Sequence, residues 1–400
     1  MQSMEKIEAG GGWRMAKAIP SALRRWIAAG AGCAAACALG AQPTIVKEGE
    51  YPFPVDGCGG IAYSGKGSLF YVVKDHAGPT GRHGLTAVYP LQLGIDARTG
   101  AIVSQALGEP FTPGRNRDSE DIAVDPFSGN IWLADEFGST PDISEFDIAG
   151  KETGRSAPIP EIQKKLHRDN QSLESLTISP CGLVMWSANE QALICDGEAA
   201  FGNNDVQTVV RLMKFTRSSP GSDWVLRGSW PYRCDPCADP IFSQSGLAGL
   251  CALPDGSVLA LEREISVSTC GRCRIYRVTD DAISAATELS NISALTNAVY
   301  KVVDKGKSLV DFRGSSLDAM TVYEGITLGP RLADGSLSLY LVADGGERRR
   351  KTIMGFTITA QTVGRLCALR ISGVDDPRKA AGSRRSVPPP GGAKNKRRKK

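Results

Sequence analysis

Apolar residues recur along the chain in pairs of short strands that are joined by a turn. Segments such as IAVDP, LTISP, LCALP and ITLGP are apolar and end at proline or near glycine, and a second apolar segment follows each of them. The second segments, such as NIWLAD and SVLALE, are apolar at consecutive positions, as expected of a strand that is buried on both faces. The pattern therefore predicts a series of β-hairpins.

These hairpins belong to one repeated unit. The stretches NRDSEDIAVDPFSGNIWLADE (116–136) and NQSLESLTISPCGLVMWSANE (170–190) share an Asn, a Glu four residues later and a second Glu sixteen residues after the first. Counted from the first Glu, these two copies start at positions 120 and 174, and further copies start at positions 59, 248 and 324, so five copies are visible. Further strands fit between the copies, namely ISEFDIAGK, VVRLMKFT, CRIYRVT and IMGFTIT, while IPEIQKKL is the best short helical segment.

Four-stranded repeats of this kind predict an all-β fold, a β-propeller. The copies are spaced by 61, 54, 74 and 76 residues, and the two wide gaps leave space for a further sheet or for long loops. We therefore expect about six four-stranded blades, with five or seven as alternatives. Equivalent positions of the repeat would then surround one axis.

The charge distribution divides the chain into three parts. Residues 1–41 carry +3 and residues 374–400 carry +8, so the body, residues 42–373, carries −7 of the total of +4. An acidic body argues against a specific nucleic-acid site. The last part is rich in Pro, Gly and basic residues and is predicted to be a disordered tail that can contact anionic envelope polymers.

The first part has the order of a secretory signal peptide. Arg24 and Arg25 precede a short Ala-rich run and small residues before Gln42. Residues 1–41 are therefore predicted to be a signal peptide, with Met15 as a better start than Met1. The run is too short to predict a transmembrane span. We expect an exported monomer, periplasmic or extracellular, with lipoprotein anchoring as the alternative.

The cysteines outside the predicted signal peptide include two CxxC pairs. Export would place them in an oxidising compartment, where disulfides are the default. Disulfides are accordingly the first interpretation of these pairs, and a zinc site is the second. The four residues are Cys234, Cys237, Cys270 and Cys273.

Four segments carry a resemblance to a known family. They are the two N-x-x-x-E-x-[IL] starts at 116–122 and 170–176, LPDGSVLALER at 253–263, and YEGITLGPRLADGSLSLYLVAD at 323–344. In this order they resemble the phytase-like family, also described as esterase-like activity of phytase, over about residues 50–365. The resemblance implies a secreted β-propeller with hydrolytic activity on esters or phosphate esters. The fourth copy departs from the pattern, because Ala248 stands where other copies have Glu.

Candidate site residues follow from the acidic positions of the repeat and their neighbours. The first acidic position supplies the candidate catalytic residues Glu120, Glu174 and Glu324. The second acidic position supplies the candidate metal ligands Asp75, Glu136, Glu190, Glu262 and Asp344. Neighbouring cations and amides supply the candidate substrate-binding residues Arg263, Arg117, Asn116, Asn170 and Lys74.

Clustered carboxylates serve two kinds of chemistry. They bind Ca²⁺ through hard oxygen ligands, and a bound metal ion can activate water or a phosphoryl oxygen. Packed like charges can also raise the pKa of one carboxyl and make it a general acid or base. The structural alternative is that acidic residues at strand ends accept backbone hydrogen bonds and join one blade to the next.

Other catalytic chemistry has little support in the sequence. There is no GxSxG nucleophile motif and no Walker motif, and the chain contains three His. Our leading hypothesis is an exported phytase-like hydrolase of an ester or phosphate ester, assisted by Ca²⁺ at an acidic site on the axis. The alternatives are a non-catalytic propeller that binds a ligand or protein of the cell envelope, and a lactone hydrolase of the gluconolactonase kind.

Overall fold

The computed structural model of the chain describes residues 43–75, 86–113, 117–136, 140–201, 206–237, 244–346, 348–353 and 356–374. The predicted signal peptide, the predicted tail beyond residue 374 and the candidate Asn116 lie outside these residues. No helix in the described ranges is both long and apolar enough to cross a membrane.

Five four-stranded antiparallel sheets form the blades of a β-propeller, which confirms the predicted fold class. Blade 1 consists of β2 (Cys58–Tyr63), β3 (Leu69–Lys74), β4 (Ala87–Ile95) and β5 (Ile102–Leu107), and blade 2 of β6 (Ser119–Val124), β7 (Ile131–Asp135), β8 (Asp142–Phe146) and β9 (Glu152–Ser156). Blade 3 consists of β10 (Leu173–Ile178), β11 (Val184–Asn189), β12 (Val209–Thr216) and β13 (Val225–Arg233), and blade 4 of β14 (Gln244–Ala252), β15 (Val258–Ile265), β16 (Arg272–Val278) and β17 (Val310–Arg313).

Blade 5 closes the ring by joining the two ends of the described chain. Its strands from the inside outwards are β18 (Val322–Arg331), β19 (Leu337–Asp344), β22 (Arg365–Ser372) and β1 (Thr44–Pro52). Thr44 pairs with Ser372 and Pro52 with Arg365 along this outermost ladder. The inner strands β2, β6, β10, β14 and β18 lie side by side in this order, and β18 returns to β2.

A separate apolar cluster fills each of the five interfaces between blades. The second strands of the blades contribute to two clusters at once. In β15, for example, Leu259 and Leu261 pack towards blade 5, whereas Val258 and Ala260 pack towards blade 3. Because successive side chains of a strand point to opposite faces, this arrangement explains why these strands are apolar at consecutive positions.

The wide gaps of the repeat contain long connections, and no sixth four-stranded sheet is found among the described residues. Before β17 the chain forms a short helix (Asp280–Ala285) and residues 286–309, which we call the strap. The strap covers the outer strand of blade 3, where the N–H of Leu289 donates to Ser229 O (2.8 Å) and that of Val303 to Pro231 O (2.9 Å). The propeller therefore has five blades, one of the expected alternatives, instead of the main expectation of six.

Most of the predicted minor elements are present, with one exception. The segment IPEIQKKL forms a helix, Glu161–Leu166, and three of the four additional strand segments form β8, β12 and β16. The fourth, IMGFTIT, is not a blade strand, because it contributes to a separate two-stranded sheet of β20 (Arg348–Ile353) and β21 (Phe356–Gln361). Its expected place in blade 5 is taken by β22 and β1, since the first strand of the chain completes the last blade.

Candidate functional site

Each inner strand carries an irregularity at the same place. Its register with the second strand shifts by one residue, so that one residue of the inner strand has no direct partner. A bulge of this kind bends the strand and re-aims the side chain of the extra residue. The five bulge residues, in blade order, are Gly59, Glu120, Glu174, Ala248 and Glu324. The three candidate catalytic glutamates thus occupy equivalent positions, and each keeps only 6–8% of its surface exposed.

Gly59 is the bulge residue of blade 1 because the neighbouring blade comes very close. A Cβ at this position would lie 2.2 Å from the backbone oxygen of Glu120. No side chain fits in this space, so blade 1 contributes no carboxylate at its bulge. The sequence comparison identified Ala248 as a departure from the acidic pattern, and the structure adds Gly59.

A second ring of charged residues lies where the second strands of the blades end. Each member faces the residue that comes two positions before a bulge. The N–H of Glu136, for instance, donates to Asp118 O (3.0 Å), and Arg263 pairs with Gly246. The second ring consists of Asp75, Glu136, Glu190, Arg263 and Asp344. In blade 4 this register assigns the position to Arg263 and not to the neighbouring candidate Glu262.

Arg263 connects three blades at the axis. Its Nη2 lies 2.8 Å from Oε1 of Glu190 and 3.4 Å from Oε1 of Glu174, both in blade 3. Its Nε lies 2.8 Å from Oε1 of Glu324 in blade 5, although the N–H is not aligned for a hydrogen bond. Burial opposes the charge of Arg263, but the surrounding carboxylates outweigh it and raise its pKa. Its Nη1 is buried and has no hydrogen-bond partner among the described residues.

Carboxylates gather on the opposite side of the axis. Oxygen atoms of Asp118, Glu120 and Glu136 all lie within 4.8 Å of one another, and the three residues are buried. They form the one group in the described part of the chain with three or more metal-ligating side chains at such distances. After burial, the charges that raise the pKa of Asp75 in blade 1 are, in order of size, those of Asp344, Glu324, Asp118 and Glu136. No salt bridge of the described residues reaches Asp75, Glu120 or Glu136.

Burial and mutual repulsion change the protonation of these carboxyls. Burial raises the pKa of Glu120 well above its ordinary value, and Glu136 and Glu174 raise it further. Burial also raises the pKa of Glu136 to about 8, although the N–H of Ser172, at 2.7 Å, acts in the opposite direction. The pKa of Asp75 is raised by burial and by the charge of Asp344. Negative charge on these groups is therefore costly unless positive charge is supplied to them.

Glu174 has a mixed environment. Burial and the charge of Glu190 raise its pKa well above the ordinary value, while Arg263 acts to lower it. Perturbed carboxyls that converge in one place are typical of functional sites. The axis therefore carries a cationic group on one side and buried carboxyls with raised pKa values on the other.

The chain was compared with models of known protein families. The family model described as "Phytase-like: Esterase-like activity of phytase" matches residues 54–345. The chain belongs to the phytase-like family. This confirms the resemblance seen in the sequence. A search of curated proteins gave no match.

Solved structures align with this phytase-like protein at low identity and low TM-score. Hydrazine synthase of Kuenenia stuttgartiensis aligns with a TM-score of 0.32 and 12% identity, over 74% of this chain and 59% of that chain. A nidogen/laminin complex gives 0.30 and 11%, over 72% and 76%. The periplasmic gluconolactonase PpgL of Pseudomonas aeruginosa gives 0.35 and 10%, over 79% and 88%. TM-scores this low support no inference about ligands or activity.

Some carboxylates of the axial site also join neighbouring blades. This is the structural role that sequence analysis gave as the alternative for acidic residues at strand ends. The carboxylate of Glu136 accepts from the backbone of blade 3, and Glu190 accepts from the amide of Gln244 at 3.0 Å. Asp121, which sequence analysis did not single out, is buried and accepts from the N–H of Leu176 at 2.7 Å. In the sequence, its position directly after Glu120 in the SEDI segment could have indicated that it is part of the site.

Several candidate substrate-binding residues do not join the axial site. Arg117 forms ion pairs within blade 2, with Asp135 at 3.0 Å and Asp142 at 3.1 Å. Asn170 is exposed in a turn with φ of 55°, and Lys74 is half-buried at the end of β3. Among the candidate substrate-binding residues inside the described ranges, Arg263 is the one that the structure places between the carboxylates.

Glu262 lies apart from the other candidate metal ligands. It faces the interface with blade 3, where it accepts from Tyr232 Oη (2.8 Å) and from Lys305 Nζ of the strap. Lys305 also lies 2.7 Å from Oδ1 of Asp235 and 4.2 Å from the ring centre of Tyr276. Adjacent residues of β15 point to opposite faces of the sheet. Glu262 therefore lies in the interface with blade 3, whereas Arg263 lies at the axis.

The CxxC pairs contain no disulfide. All nine described cysteines are free thiols, so the structure has none of the expected disulfides. Cys234 is buried between blades 3 and 4 and Cys273 between blades 4 and 5. Cys234 and Cys273 thus belong to different interfaces, and the second interpretation, a zinc site, stays a prediction.

Proposed function

We propose that this phytase-like protein hydrolyses an ester or a phosphate ester at the propeller axis, with a divalent cation, Ca²⁺ in the first place, as cofactor. The family description, esterase-like activity of phytase, supports this reaction class. The proposal rests chiefly on one observation: the axial site has two unlike halves. Arg263 forms one half with Glu174, Glu190 and Glu324, and a carboxylate group forms the other.

The carboxylate half suits a hard cation. Its members, Asp118, Glu120 and Glu136, offer oxygen atoms from one blade within a small space, and Asp75 adds a carboxylate nearby. Oxygen ligands of this kind are those that Ca²⁺ prefers. The raised pKa values of Glu120 and Glu136 indicate that negative charge is costly there without a cation. When bound, a divalent cation supplies positive charge that polarises a phosphoryl or carbonyl oxygen and lowers the pKa of water.

The cationic half suits the anionic group of a substrate. Nη1 of Arg263 is a buried donor with no partner among the described residues, and Glu190 and Glu324 hold the rest of the guanidinium in place. Guanidinium groups recognise phosphate and carboxylate oxygens through directed hydrogen bonds. Arg263 would therefore bind a substrate oxygen on the side opposite the carboxylate cluster.

Glu174 is the candidate proton donor. Burial raises its pKa, which favours the protonated form that can donate, and it lies beside Arg263, where the leaving oxygen of a bound substrate would be. As the bond to the leaving oxygen breaks, Glu174 gives it a proton. Water adds its hydroxyl to phosphorus or to the acyl carbon and returns a proton to Glu174.

The test is turnover of a panel of small substrates: an aryl phosphate, an aryl acetate and a sugar lactone, each with Ca²⁺ and with a chelator. We expect hydrolysis of at least one ester, lost on chelation. The exposed residue Glu152 provides a control, since Glu152→Gln changes one carboxylate far from the axis. Folded protein that binds but turns over no member would favour the non-catalytic propeller, and opening of the lactone alone would favour the lactone hydrolase.

Export is proposed from the sequence alone. The order of basic, apolar and small residues before Gln42 supports a cleaved signal peptide that starts at Met15. N-terminal sequencing of the protein recovered outside the cytoplasm tests this proposal, and residues 1–14 on the exported chain would contradict it.

A further inference from the structure

The two-stranded sheet of β20 and β21, which we call the basic hairpin, is an addition to blade 5. It lies between β19 and β22, at the end of the blade where Asp344 of the second ring is located. Blades 2 and 4 connect their second and third strands through the short segments 136–141 and 266–271. The basic hairpin pairs with none of the blade strands, so it forms a sheet of its own.

Among the described side chains of the basic hairpin, those at its base pack on the propeller. Ala360 joins a small apolar cluster with Met320, Val322 and Ile265, and the N–H of Met320 donates to Gln361 O at 2.9 Å. Ile265 comes two residues after Arg263 in β15, so the base sits over blades 4 and 5 at the axial-site end. An isolated two-stranded hairpin is marginally stable in water. The part beyond this base therefore lacks the support that a third strand or a core would give.

The stem of the basic hairpin is cationic. Residues 348–351 read Arg-Arg-Arg-Lys, and the described side chains of Arg348 and Arg350 are exposed. Neither has a salt-bridge partner among the described residues. Their cross-strand neighbours are Gln361 and Thr359, which offer neutral polar groups. This charge stands out on a body whose net charge is −7 between residues 42 and 373.

The outer end of the basic hairpin exposes an aromatic ring. Phe356, the first residue of β21, is 77% exposed. A single exposed apolar residue is ordinary on a protein surface. An exposed aromatic residue at the far end of a strongly basic stem is a different case, because it combines the two features by which proteins bind anionic bilayers. Basic residues pair with lipid phosphates, and an aromatic side chain enters the interface.

We propose that the basic hairpin docks the propeller onto an anionic phospholipid surface. Arg348 and Arg350 would contact the headgroup phosphates, and Phe356 would enter the interfacial region. Docking in this way places the end of the propeller that carries the axial site nearest to the bilayer. The inference goes beyond the proposed function and does not depend on it, since it concerns binding and not turnover.

The experiment is sedimentation of the full chain with phosphatidylcholine vesicles and with mixed phosphatidylcholine/phosphatidylglycerol vesicles, at low and high salt. The six Lys and Arg residues between Lys394 and Lys400 are first replaced by Gln, so that the basic tail cannot bind in place of the hairpin. Three variants are then made in this background: Arg348→Gln/Arg350→Gln, Phe356→Ser, and the control Lys66→Gln/Arg98→Gln, which removes two exposed cations from turns at the opposite end.

We expect salt-sensitive binding to the phosphatidylglycerol vesicles. Each basic residue near an anionic surface strengthens binding by about fivefold, so the double arginine variant should bind roughly 25-fold more weakly. The Phe356→Ser variant lacks the ring that would enter the bilayer interface, so its binding should be weaker by about tenfold or more. The control should change it by less than about twofold, because its cations lie far from the bilayer.

Three results would overturn the proposal. The first is the absence of binding to phosphatidylglycerol vesicles, and the second is binding that the hairpin variants leave unchanged. The third concerns soluble phosphate. If soluble tripolyphosphate bound the hairpin and displaced the vesicles completely at equal phosphate concentration, the site would be one for free phosphate and not for a membrane surface.

Discussion

Nη2 of Arg263 lies 2.8 Å from Oε1 of Glu190, and this ion pair joins blade 4 to blade 3 at the axis of the propeller. Both side chains are buried. The pair is possible because the second-ring position of blade 4 holds Arg where the other blades have Asp or Glu. A single replaced charge thus gives an otherwise acidic ring its counter-ion.

Replacement of Arg263 by Met should destabilise the fold. It would leave Glu174, Glu190 and Glu324 buried beside one another without their cation, and loss of one partner of a buried ion pair costs about 3–5 kcal/mol. Urea denaturation at neutral pH measures this change. A second substitution, Glu190→Gln, should restore part of the lost stability because it removes one of the stranded charges; no recovery would contradict the assigned pairing.

Replacement of Gly59 by Ala should disturb both the fold and the carboxylate cluster. The added Cβ would meet the backbone of Glu120 at 2.2 Å, and overpacking of this kind costs about 1–3 kcal/mol. Displacement of Glu120 should also weaken cation binding. Gly65→Ala is a suitable control, since its Cβ would meet nothing within 4 Å and only its φ of 75° adds strain. Equal effects of the two variants on cation binding would contradict the proposed contact.

Replacement of Glu174 by Gln should abolish most turnover and leave the fold intact. Gln keeps the shape of a protonated Glu but cannot give a proton to the leaving oxygen, and general acid catalysis contributes about 10²- to 10⁴-fold. The measurement is kcat on the best ester of the panel, together with the melting temperature. Activity of the variant within about twofold of the parent would exclude Glu174 as the proton donor.

The stability of the fold at acidic pH should depend on the ion pair of Asp125 and Arg217. The guanidinium of Arg217 contacts both oxygens of Asp125, at 2.6 and 2.8 Å, and joins a turn of blade 2 to blade 3. Although burial opposes it, these hydrogen bonds lower the pKa of Asp125 below its ordinary value of 3.8. The folded state therefore binds the proton less readily than the unfolded state does, so stability from this pair is present above about pH 4 and is lost as the pH falls through the folded pKa.

The check is the free energy of unfolding of the parent and of Asp125→Asn between pH 6 and about pH 2. The variant should be less stable at pH 6, and the difference should shrink as the pH falls because the parent then also loses its charge. A difference that stays constant over this range would show that the charge of Asp125 does not contribute.

The repeat in the sequence predicted much of the fold and part of the site. Glu120, Glu174 and Glu324 share one position of the repeat, and the structure places them at equivalent bulges. The second-ring position of blade 4 is occupied by Arg263 and not by the expected Glu262. The repeat could not predict this, because it depends on strand register. A shift of one residue along a strand moves every side chain to the other face, and here two charged residues of opposite sign are adjacent.

The number of blades was also hard to predict from the sequence, because it too depends on how the strands pair. The hydrophobic pattern marks strands but does not say which of them pair, and strand β1 completes blade 5 from the other end of the described chain. The strap of residues 286–309 lengthens the chain without adding a sheet. The segment IMGFTIT has the apolar pattern of a blade strand, yet it belongs to the basic hairpin.

Direct measurement of Ca²⁺ binding by calorimetry tests the central claim, that the carboxylate half of the axial site holds a cation. One Ca²⁺ should bind per metal-free chain, and Glu120→Gln/Glu136→Gln should weaken binding by at least about 100-fold, since two of the oxygen ligands lose their charge. Glu262→Gln is the matched control: it should leave the affinity within about twofold, because Glu262 contacts Lys305 and not the cluster. No Ca²⁺ binding, or equal loss in the control, would contradict the account.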